Sequence, residues 1–155
     1  MIGIGYDSHR FAAGRRLVLG GVEIPSPRGL AGHSDGDVLT HAVIDAILGA
    51  AGLDDIGAMF PSGDPQWEGA SSIDLLARAY GGVQALGLTL VNVDCILIGE
   101  EPRLAPYREQ MRKQLAGTLG VEEERVAVRA TTTDGLGFTG RGEGLAAQAV
   151  ALLSR

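Results

Sequence analysis

The stretch His33-Ser-Asp-Gly-Asp-Val-Leu-Thr-His-Ala-Val-Ile-Asp-Ala-Ile-Leu-Gly-Ala-Ala51 joins a polar turn to an apolar run. Positions 39, 43, 44, 47 and 48 of this run are apolar, and their three- and four-residue spacing is typical of one face of a helix. We therefore predict a helix over residues 37–51, with Ser34, Asp35 or Asp37 as its N-cap.

The segments on both sides of this helix predict a sheet. Residues 1–6, 88–98 and 125–131 have the composition of strands, and residues 17–24 place a Gly-Gly pair between two short apolar runs, which is typical of a hairpin. Further helices are predicted over residues 71–86, over residues 106–119 and, in an alanine-rich segment, over residues 142–154; residues 54–69 are predicted to be a loop. This order predicts an α+β (mixed α/β) fold in which helices pack on a mixed sheet.

Length and composition exclude several classes of protein. The chain has 155 residues, of which 45% are hydrophobic and 21% charged, as expected for a single stand-alone domain over residues 1–155. A net charge of −6 gives no overall attraction to nucleic acid, and the apolar runs are too short for a membrane span. The start of the chain lacks a signal-peptide pattern, and Cys95 has no partner for an internal disulfide, so we expect a cytoplasmic protein.

The histidines lie beside acidic residues in a pattern that suggests a metal site. Residues two apart in a strand share a face, so Asp7 and His9, which follow the strand predicted over residues 1–6, could point the same way, and His41 belongs to the predicted helix. Two imidazoles and one carboxylate with a fourth position open form a catalytic zinc pattern, in which Asp35 or Asp37 could orient an imidazole. The alternative is that these histidines are satisfied by neighbouring acids and bind no metal.

A glycine-rich segment follows the strand predicted to end near residue 131. Residues 130–144 read Ala-Thr-Thr-Thr-Asp-Gly-Leu-Gly-Phe-Thr-Gly-Arg-Gly-Glu-Gly. They are not a P-loop, because Arg141 replaces the lysine and Gly142 replaces the Ser or Thr that would hold magnesium. Exposed backbone N–H groups, three hydroxyls and an arginine could still bind an anion; a tight turn without a ligand is the alternative.

Several motifs together resemble one family. They are Gly-Tyr-Asp-Ser-His-Arg-Phe at residues 5–11, Leu-Gly-Gly-Val-Glu-Ile at 19–24, Gly-His-Ser-Asp-Gly-Asp-Val-Leu-Thr-His at 32–41, Asp-Ile-Gly at 55–57 with Phe-Pro at 60–61, and the glycine-rich segment at 130–144. Over almost its whole length the chain resembles the 2-C-methyl-D-erythritol 2,4-cyclodiphosphate synthases of the non-mevalonate isoprenoid pathway.

The resemblance implies a role for each motif residue. Zinc would be bound by Asp7, His9 and His41, and magnesium or manganese by Asp134, while His33 and Thr132 would stabilise the transition state. The substrate would be bound by Ser34, Asp55, Ile56, Gly57, Phe60, Pro61, Ser62, Gly63, Asp64, Gly99, Glu100, Glu101, Pro102, Arg103, Leu104, Ala105, Thr131, Thr133, Phe138 and Arg141.

Two of these positions depart from the family pattern. The family usually has Glu where this chain has Asp134, and Asp where it has Ser62. The one-methylene-shorter carboxylate of Asp134 could reach magnesium through a water, or it could instead cap a turn and contact no metal.

The resemblance also implies a reaction and an assembly. In 4-diphosphocytidyl-2-C-methyl-D-erythritol 2-phosphate, the 2-phosphate would attack the β-phosphorus in line and release CMP, so the enzyme needs no nucleophile of its own. A homotrimer is implied, with active sites between subunits and residues 137–143 facing a central channel that could hold an isoprenoid diphosphate. A zinc phosphoesterase and a non-catalytic isoprenoid-diphosphate binding protein are the alternatives.

Overall fold

A computed structural model describes residues 1–155 and contains a five-stranded mixed sheet. Its strands lie in the order β4-β1-β7-β5-β6, where only β5 and β6 are parallel. A separate hairpin consists of β2 and β3. The strands span β1 Ile2–Ala13, β2 Leu17–Leu19, β3 Val22–Ile24, β4 Arg28–Leu30, β5 Thr89–Ile98, β6 Val126–Thr131 and β7 Gly144–Ser154.

Three longer helices and two short ones accompany the sheet. They are α1 Val38–Ala50, α2 Ile56–Met59, α3 Ser72–Ala85, α4 Arg108–Leu119 and α5 Gly137–Gly140, with 3₁₀ turns at Pro65–Trp67, Ala105–Tyr107 and Glu123–Arg125. The mixed α+β fold predicted from the sequence is confirmed. None of the helices is both long and apolar enough to cross a membrane.

The helix predicted around the opening sequence, α1, packs directly on β1 and β7. Two glycines on β1 allow this close approach: a Cβ at Gly3 would overlap the carbonyl oxygen of Ala46, and a Cβ at Gly5 would overlap that of Ala42. The residues of α1 at these contacts are alanines, so no large side chain separates the backbone of the helix from that of the strand. This packing fixes the distance between β1 and α1, which together carry the acid and imidazole groups of the site described below.

Two predictions of secondary structure are wrong. The alanine-rich segment predicted as a final helix is β7, which lies between β1 and β5 in the middle of the sheet. Alanine favours helices, but Ala147, Ala149 and Ala151 are buried while the alternate residues Gln148 and Val150 are exposed; this two-residue alternation suits a strand. The predicted loop over residues 54–69 contains α2 and a 3₁₀ turn, both too short to produce a helical period.

Candidate active site and metal-binding triad

Asp7, His9 and His41 converge on one point, as their spacing predicts. Asp7 and His9 lie on the face of β1 that α1 covers, and His41 lies in the first turns of α1. The Oδ2 atom of Asp7 is 2.8 Å from His9 Nε2 and 3.1 Å from His41 Nδ1. One ligand atom from each residue lies within 4.8 Å of the other two. The three side chains could therefore hold one metal ion.

Each imidazole is oriented by a second contact on its far side. His9 Nδ1 donates to the carbonyl of Ala31 over 2.6 Å, which leaves the lone pair of Nε2 toward Asp7 in the neutral ring. His41 Nε2 is 3.1 Å from Ser34 Oγ. The prediction that Asp35 or Asp37 orients an imidazole is wrong, because neither carboxylate contacts a histidine ring and both are used by backbone and hydroxyl donors instead.

Asp37, one of the three residues predicted as the cap, is the N-cap of α1. Its carboxylate is fully buried and accepts from the Thr40 N–H and hydroxyl, from the Ser72 hydroxyl and from the N–H groups of Gly20 and Gly21. Gly20 and Gly21 both have positive φ in the turn of the hairpin. A buried charge is stable only when it is fully hydrogen-bonded. The donors to this one carboxylate come from α1, from the hairpin and from α3, so it connects the start of α1 to both.

Asp35 accepts from the N–H groups of Asp37 and Ser72. Burial raises the pKa of Asp35, with a further rise from the charge of Asp37, against the effect of these two N–H donors. Together the two carboxylates hold the loop over residues 33–36 between α1 and α3.

The contacts within the triad shift the pKa values of Asp7 and His9. Burial alone would raise the pKa of Asp7, but hydrogen bonds from His41 and His9 outweigh it and lower that pKa to about 2. Burial would lower the pKa of His9, but the hydrogen bond and the charge of Asp7 outweigh it, so the net shift is upward despite the opposing charge of Arg15. The carboxylate is thus anionic at any physiological pH, as a metal ligand must be.

A cavity of about 250 Å³ opens beside the triad. It brings together many of the residues that the resemblance implies for metal and substrate: Asp7, His9, His33, Ser34, His41, Ile56, Gly57, Phe60 and Ser62. Trp67 and Leu75 also line it. Trp67 packs edge-on against Phe60 with ring centroids 4.9 Å apart, a contact that no spacing rule in the sequence indicates.

The other expected residues of this region lie at the rim. Asp55 caps α2 through Oδ1, which accepts from the Ala58 N–H, and Asp45 of α1 accepts from the Ile56 N–H over 2.8 Å. Asp64 is used structurally: its side chain accepts from the Gln66 N–H, and its carbonyl accepts from His33 Nε2 over 3.2 Å. Pro61 and Gly63 are exposed in the same loop.

The remaining expected residues form a second group at the ends of β5 and β6. Because these strands are parallel, the segments that follow Ile98 and Thr131 emerge at the same edge of the sheet. Glu100, Glu101 and Arg141 line a cavity of about 240 Å³, and Pro102 and Arg103 line a neighbouring one of about 260 Å³. Gly99 and Ala105 are the first and last residues of this segment. Leu104 is buried in the core, so only the backbone of Leu104 is available to a ligand.

The threonines of the second group are held by a turn. Thr133 Oγ1 donates to the Leu136 carbonyl over 2.6 Å, and Thr132 Oγ1 donates to Asp134 Oδ1 over 3.1 Å. Asp134 has a left-handed backbone with φ of 52°, a conformation that Asp and Asn tolerate better than other residues with a Cβ. The turn role that the sequence left open for Asp134 is therefore present, and its exposed carboxylate stays accessible.

Phe138 and Arg141 lie in the glycine-rich segment, beyond the triad. Phe138 lines a cavity of about 560 Å³ with Ser8, His9, Arg10 and Glu143. Arg141 pairs with Glu143 over 3.0 Å, and this contact raises the pKa of Arg141 and lowers that of Glu143. Cys95 is buried in β5 and burial raises its pKa, so it is a core residue and not a nucleophile.

The fold and the site together define an enzyme-like α+β domain in which one carboxylate and two imidazoles, placed so that they could hold a metal ion, lie at the wall of a cavity. Similarity to known proteins identifies the family within this class. The YgbB family model matches residues 1–154, and the chain belongs to that family, which confirms the resemblance found in its motifs.

Curated relatives of high identity carry the name that the motifs indicated. The chain is 59% identical over 152 residues to the 2-C-methyl-D-erythritol 2,4-cyclodiphosphate synthase of Moorella thermoacetica, covering 98% of this chain and 93% of the relative. It is 55% identical over 154 residues to the enzyme of that name from Symbiobacterium thermophilum, covering 99% and 98%.

Solved structures agree in fold. A bifunctional IspDF from Campylobacter jejuni superposes with a TM-score of 0.95 at 45% identity, but the chain spans only 41% of that longer protein while 98% of this chain is covered. A 2C-methyl-D-erythritol-2,4-cyclodiphosphate synthase solved with CDP superposes with a TM-score of 0.91 at 40% identity, covering 99% of this chain and all of the other.

Proposed function

We propose that this protein converts 4-diphosphocytidyl-2-C-methyl-D-erythritol 2-phosphate into 2-C-methyl-D-erythritol 2,4-cyclodiphosphate and CMP, as a phosphorus–oxygen lyase of isoprenoid precursor biosynthesis. The observation that carries the proposal is the triad of Asp7, His9 and His41 at the wall of one cavity with His33 and Ser34. Its family membership and the names of its relatives support the same reaction.

Zinc is the ion that fits the triad best. Ligand atoms on a tetrahedral zinc ion lie about 3.3 Å apart, because Zn–N and Zn–O bonds are about 2.0 Å long. Asp7 Oδ2 is 2.8 Å and 3.1 Å from the two imidazole nitrogens, so a small outward shift would admit the ion. With three protein ligands, a bound zinc ion would keep a fourth position open for a substrate oxygen, as in catalytic zinc sites. When bound, zinc and a magnesium or manganese ion would neutralise charge on the substrate diphosphate.

The residues around the diphosphate position it for an internal displacement. The 2-phosphate oxygen forms a bond to the β-phosphorus as the bond from that phosphorus to the CMP oxygen breaks, and CMP leaves with the electron pair. His33, donating through its ring, and Thr132, through its hydroxyl, would stabilise the charge that develops at the β-phosphate. The protein's main contribution is to hold the reacting groups close together, which avoids much of the entropic cost.

The substrate would span both groups of residues. Asp55, Ile56 and Gly57 would bind the ribose, since Asp55 Oδ2 has no hydrogen bond within the chain. Gly99 to Ala105 would bind the cytosine, Phe60 to Asp64 the methylerythritol, and Thr131 to Asp134 the diphosphate and its magnesium. Two solved relatives are described as bound to CDP or as a CDP complex, which supports a cytidine subsite in this chain.

A homotrimer would join the two groups across a subunit boundary. Within one chain Asp7 and His9 lie on β1 and His41 lies on α1, which packs on β1, whereas Gly99 and Thr131 lie at the ends of β5 and β6, with β7 between. At about 4.8 Å per strand, β1 and β5 are separated by about 10 Å and β1 and β6 by about 14 Å. We infer that each active site takes its triad from one subunit and its cytosine segment from the next.

The open face of the sheet supports such an assembly. The residues of β1 that point away from α1 include Ile2, Ile4 and Tyr6, which are 73%, 63% and 55% exposed, and Val150 of β7 lies on the same face. An apolar patch of this kind is unusual on a monomer and marks a contact surface. Phe138 lines a cavity with Ser8 and Arg10, which alternate with the more buried residues of β1 as Ile2, Ile4 and Tyr6 do. In the central channel of a trimer, Phe138 could bind the tail and Arg141 the head of an isoprenoid diphosphate.

Product analysis tests the proposed reaction. The purified protein is incubated with the cytidyl substrate, zinc and magnesium, and the products are followed by phosphorus NMR, with His41→Ala as the metal-free control. We expect a cyclic diphosphate and CMP in equal amounts. Release of inorganic phosphate or an open sugar phosphate would favour a zinc phosphoesterase, and binding without turnover would favour a non-catalytic binding protein; either result would overturn the proposal.

A further inference from the structure

The loop that carries His33 and Ser34 is held by an arginine outside the motifs. Arg15 lies between β1 and β2, and its guanidinium donates to the carbonyl of Gly32 over 3.0 Å and to the carbonyl of Ser34 over 2.8 Å. These two carbonyls flank His33 on either side. Arg15 is half-buried and has no carboxylate within ion-pair distance, so the two carbonyls are its only partners in the chain.

The segment that Arg15 holds contacts both imidazoles of the triad. Ala31 accepts from His9, and a Cβ at Gly32 would lie 3.2 Å from the His9 ring, so the backbone of the loop lies against that ring. Ser34 Oγ contacts His41. A shift of this loop would move His33 and change the support of both triad histidines at once.

The base of Arg15 is itself fixed by the sheet. A Cβ at Gly29 of β4 would overlap the carbonyl oxygens of Arg15 and Arg16, so glycine at that position allows β4 to lie directly against the backbone that bears the arginine. A planar guanidinium with its donors in a fixed arrangement can span two carbonyls two residues apart, which a lysine ammonium does not reproduce.

From these contacts we propose that Arg15 is a positioning residue for the reaction, acting through His33 and Ser34 by holding the carbonyls of Gly32 and Ser34. This inference rests on the proposed function. Arg15 makes no contact with the triad and does not line the cavity, so it acts on the placement of the groups that do. Its charge also acts on His9, and Arg15→Lys keeps that charge while losing the paired hydrogen bonds. Since a displacement of about 1 Å in a catalytic group can cost about a hundredfold in rate, the contribution of Arg15 is measurable.

The chain offers a matched control. Arg16 is the next residue, is 76% exposed and pairs only with Glu23 at 3.5 Å across the hairpin. We expect Arg15→Met to lower kcat/KM by about tenfold, Arg15→Lys to restore little of the loss because one ammonium cannot hold both carbonyls, and Arg16→Met to leave kcat/KM unchanged. Equal values for Arg15→Met and wild type would overturn the proposal.

Two further readouts separate positioning from general stability. In a background that carries both His33→Ala and Ser34→Ala, Arg15→Met should have little additional effect on kcat, because both residues through which it acts are gone; fully additive losses would contradict positioning. Hydrogen exchange of the peptide over residues 32–37 should be faster in Arg15→Met than in Arg16→Met, and unchanged exchange would overturn the clamp. If the wild type has no cyclase activity, the proposed function fails while the exchange measurement still tests the clamp.

Discussion

Replacing a triad histidine should have a different consequence from replacing the neighbouring His33. His41 supplies one of three ligand atoms, so His41→Ala should release the metal and lower turnover by more than about a hundredfold. Even the loss of a residue that only hydrogen-bonds to a metal ligand lowers metal affinity or activity by about 10–100-fold. His33 lines the cavity but is not one of the three, so His33→Ala should keep the metal while losing rate. Metal analysis of both purified variants, beside their turnover, checks this pair. Full metal occupancy in His41→Ala would contradict the assignment.

The triad also predicts opposite effects of pH with and without metal. The pKa of Asp7 is lowered to about 2, so its stabilising contribution is present above pH 3.8 and is lost as pH falls toward 2. The pKa of His9 is raised above 6.5, so its contribution is present below pH 6.5 and is lost as pH rises through the raised value.

Metal-free protein should therefore lose stability as the pH rises above 6.5 and through the raised pKa of His9. Metal-loaded protein should show the opposite trend over that range, since protons compete with the ion for the same ligand atoms. Melting temperatures measured with a chelator and with zinc check this, and the difference between the two trends isolates the triad from other titrating groups. Identical trends in the two samples would show that these residues bind no metal.

Asp134 is tested by a change that preserves its backbone. Asn tolerates the left-handed conformation at this position as well as Asp does, so Asp134→Asn removes the charge without straining the turn. If the carboxylate holds magnesium, the concentration for half-maximal activity should rise by about tenfold. An unchanged magnesium requirement would show that Asp134 serves only the turn.

The sequence could predict some of these residues and not others. Asp7 and His9 follow from the two-residue repeat of a strand, and His41 follows from its place after a helix cap. Arg15 does not follow from any spacing rule, because its partners are 17 and 19 residues away and are backbone carbonyls. Trp67 and Asp45 do not follow from a spacing rule either, because their contacts form only once α2 and the loop beside it have packed.

At the scale of elements, the contact between β1 and α1 determines the geometry of the site. Gly5→Ala should cost about 3 kcal/mol of unfolding free energy, because the added Cβ overlaps the backbone of α1 and neither element can move freely. For a chain of this size that lowers the melting temperature by about 10 °C.

Gly81 in α3 provides the control for this substitution. A Cβ there meets no atom within 4 Å, so Gly81→Ala should stabilise by about 0.5–1 kcal/mol through helix propensity. Thermal unfolding of both variants measures the difference. Similar melting temperatures for the two would show that the sheet and α1 can separate, and that their packing does not set the triad distances.

The elements themselves were predictable to different degrees. The opening helix, the Gly-Gly hairpin and β5 are where the sequence indicates, because each has a strong local signal. The misassignment of β7 has a physical cause: its alanines are selected by the close approach of α1, and this tertiary requirement outweighs their helix propensity. A central strand without β-branched residues on its buried face gives no local sign of its position.

At the scale of the whole molecule, the apolar face of β1 and β7 predicts self-association. Ile4→Asp places a charge at the centre of that face and should shift sedimentation from a trimer toward a monomer. Leu86→Asp, which changes a similarly exposed apolar residue at the end of α3, should leave the assembly intact. A trimer that persists in Ile4→Asp, or a wild type that sediments as a monomer, would contradict this use of the sheet face.

A shared active site is the central claim, and mixing two inactive variants tests it most directly. His41→Ala damages the triad half of the site, and Thr132→Ala damages the half at the end of β6. When the two are co-expressed and assemble at random, about one quarter of the subunit boundaries combine two intact halves. We expect the mixed trimers to form cyclic diphosphate at about one quarter of the wild-type rate, although each variant alone is inactive. Mixed trimers no more active than the separate variants would place both halves in one subunit and contradict the account.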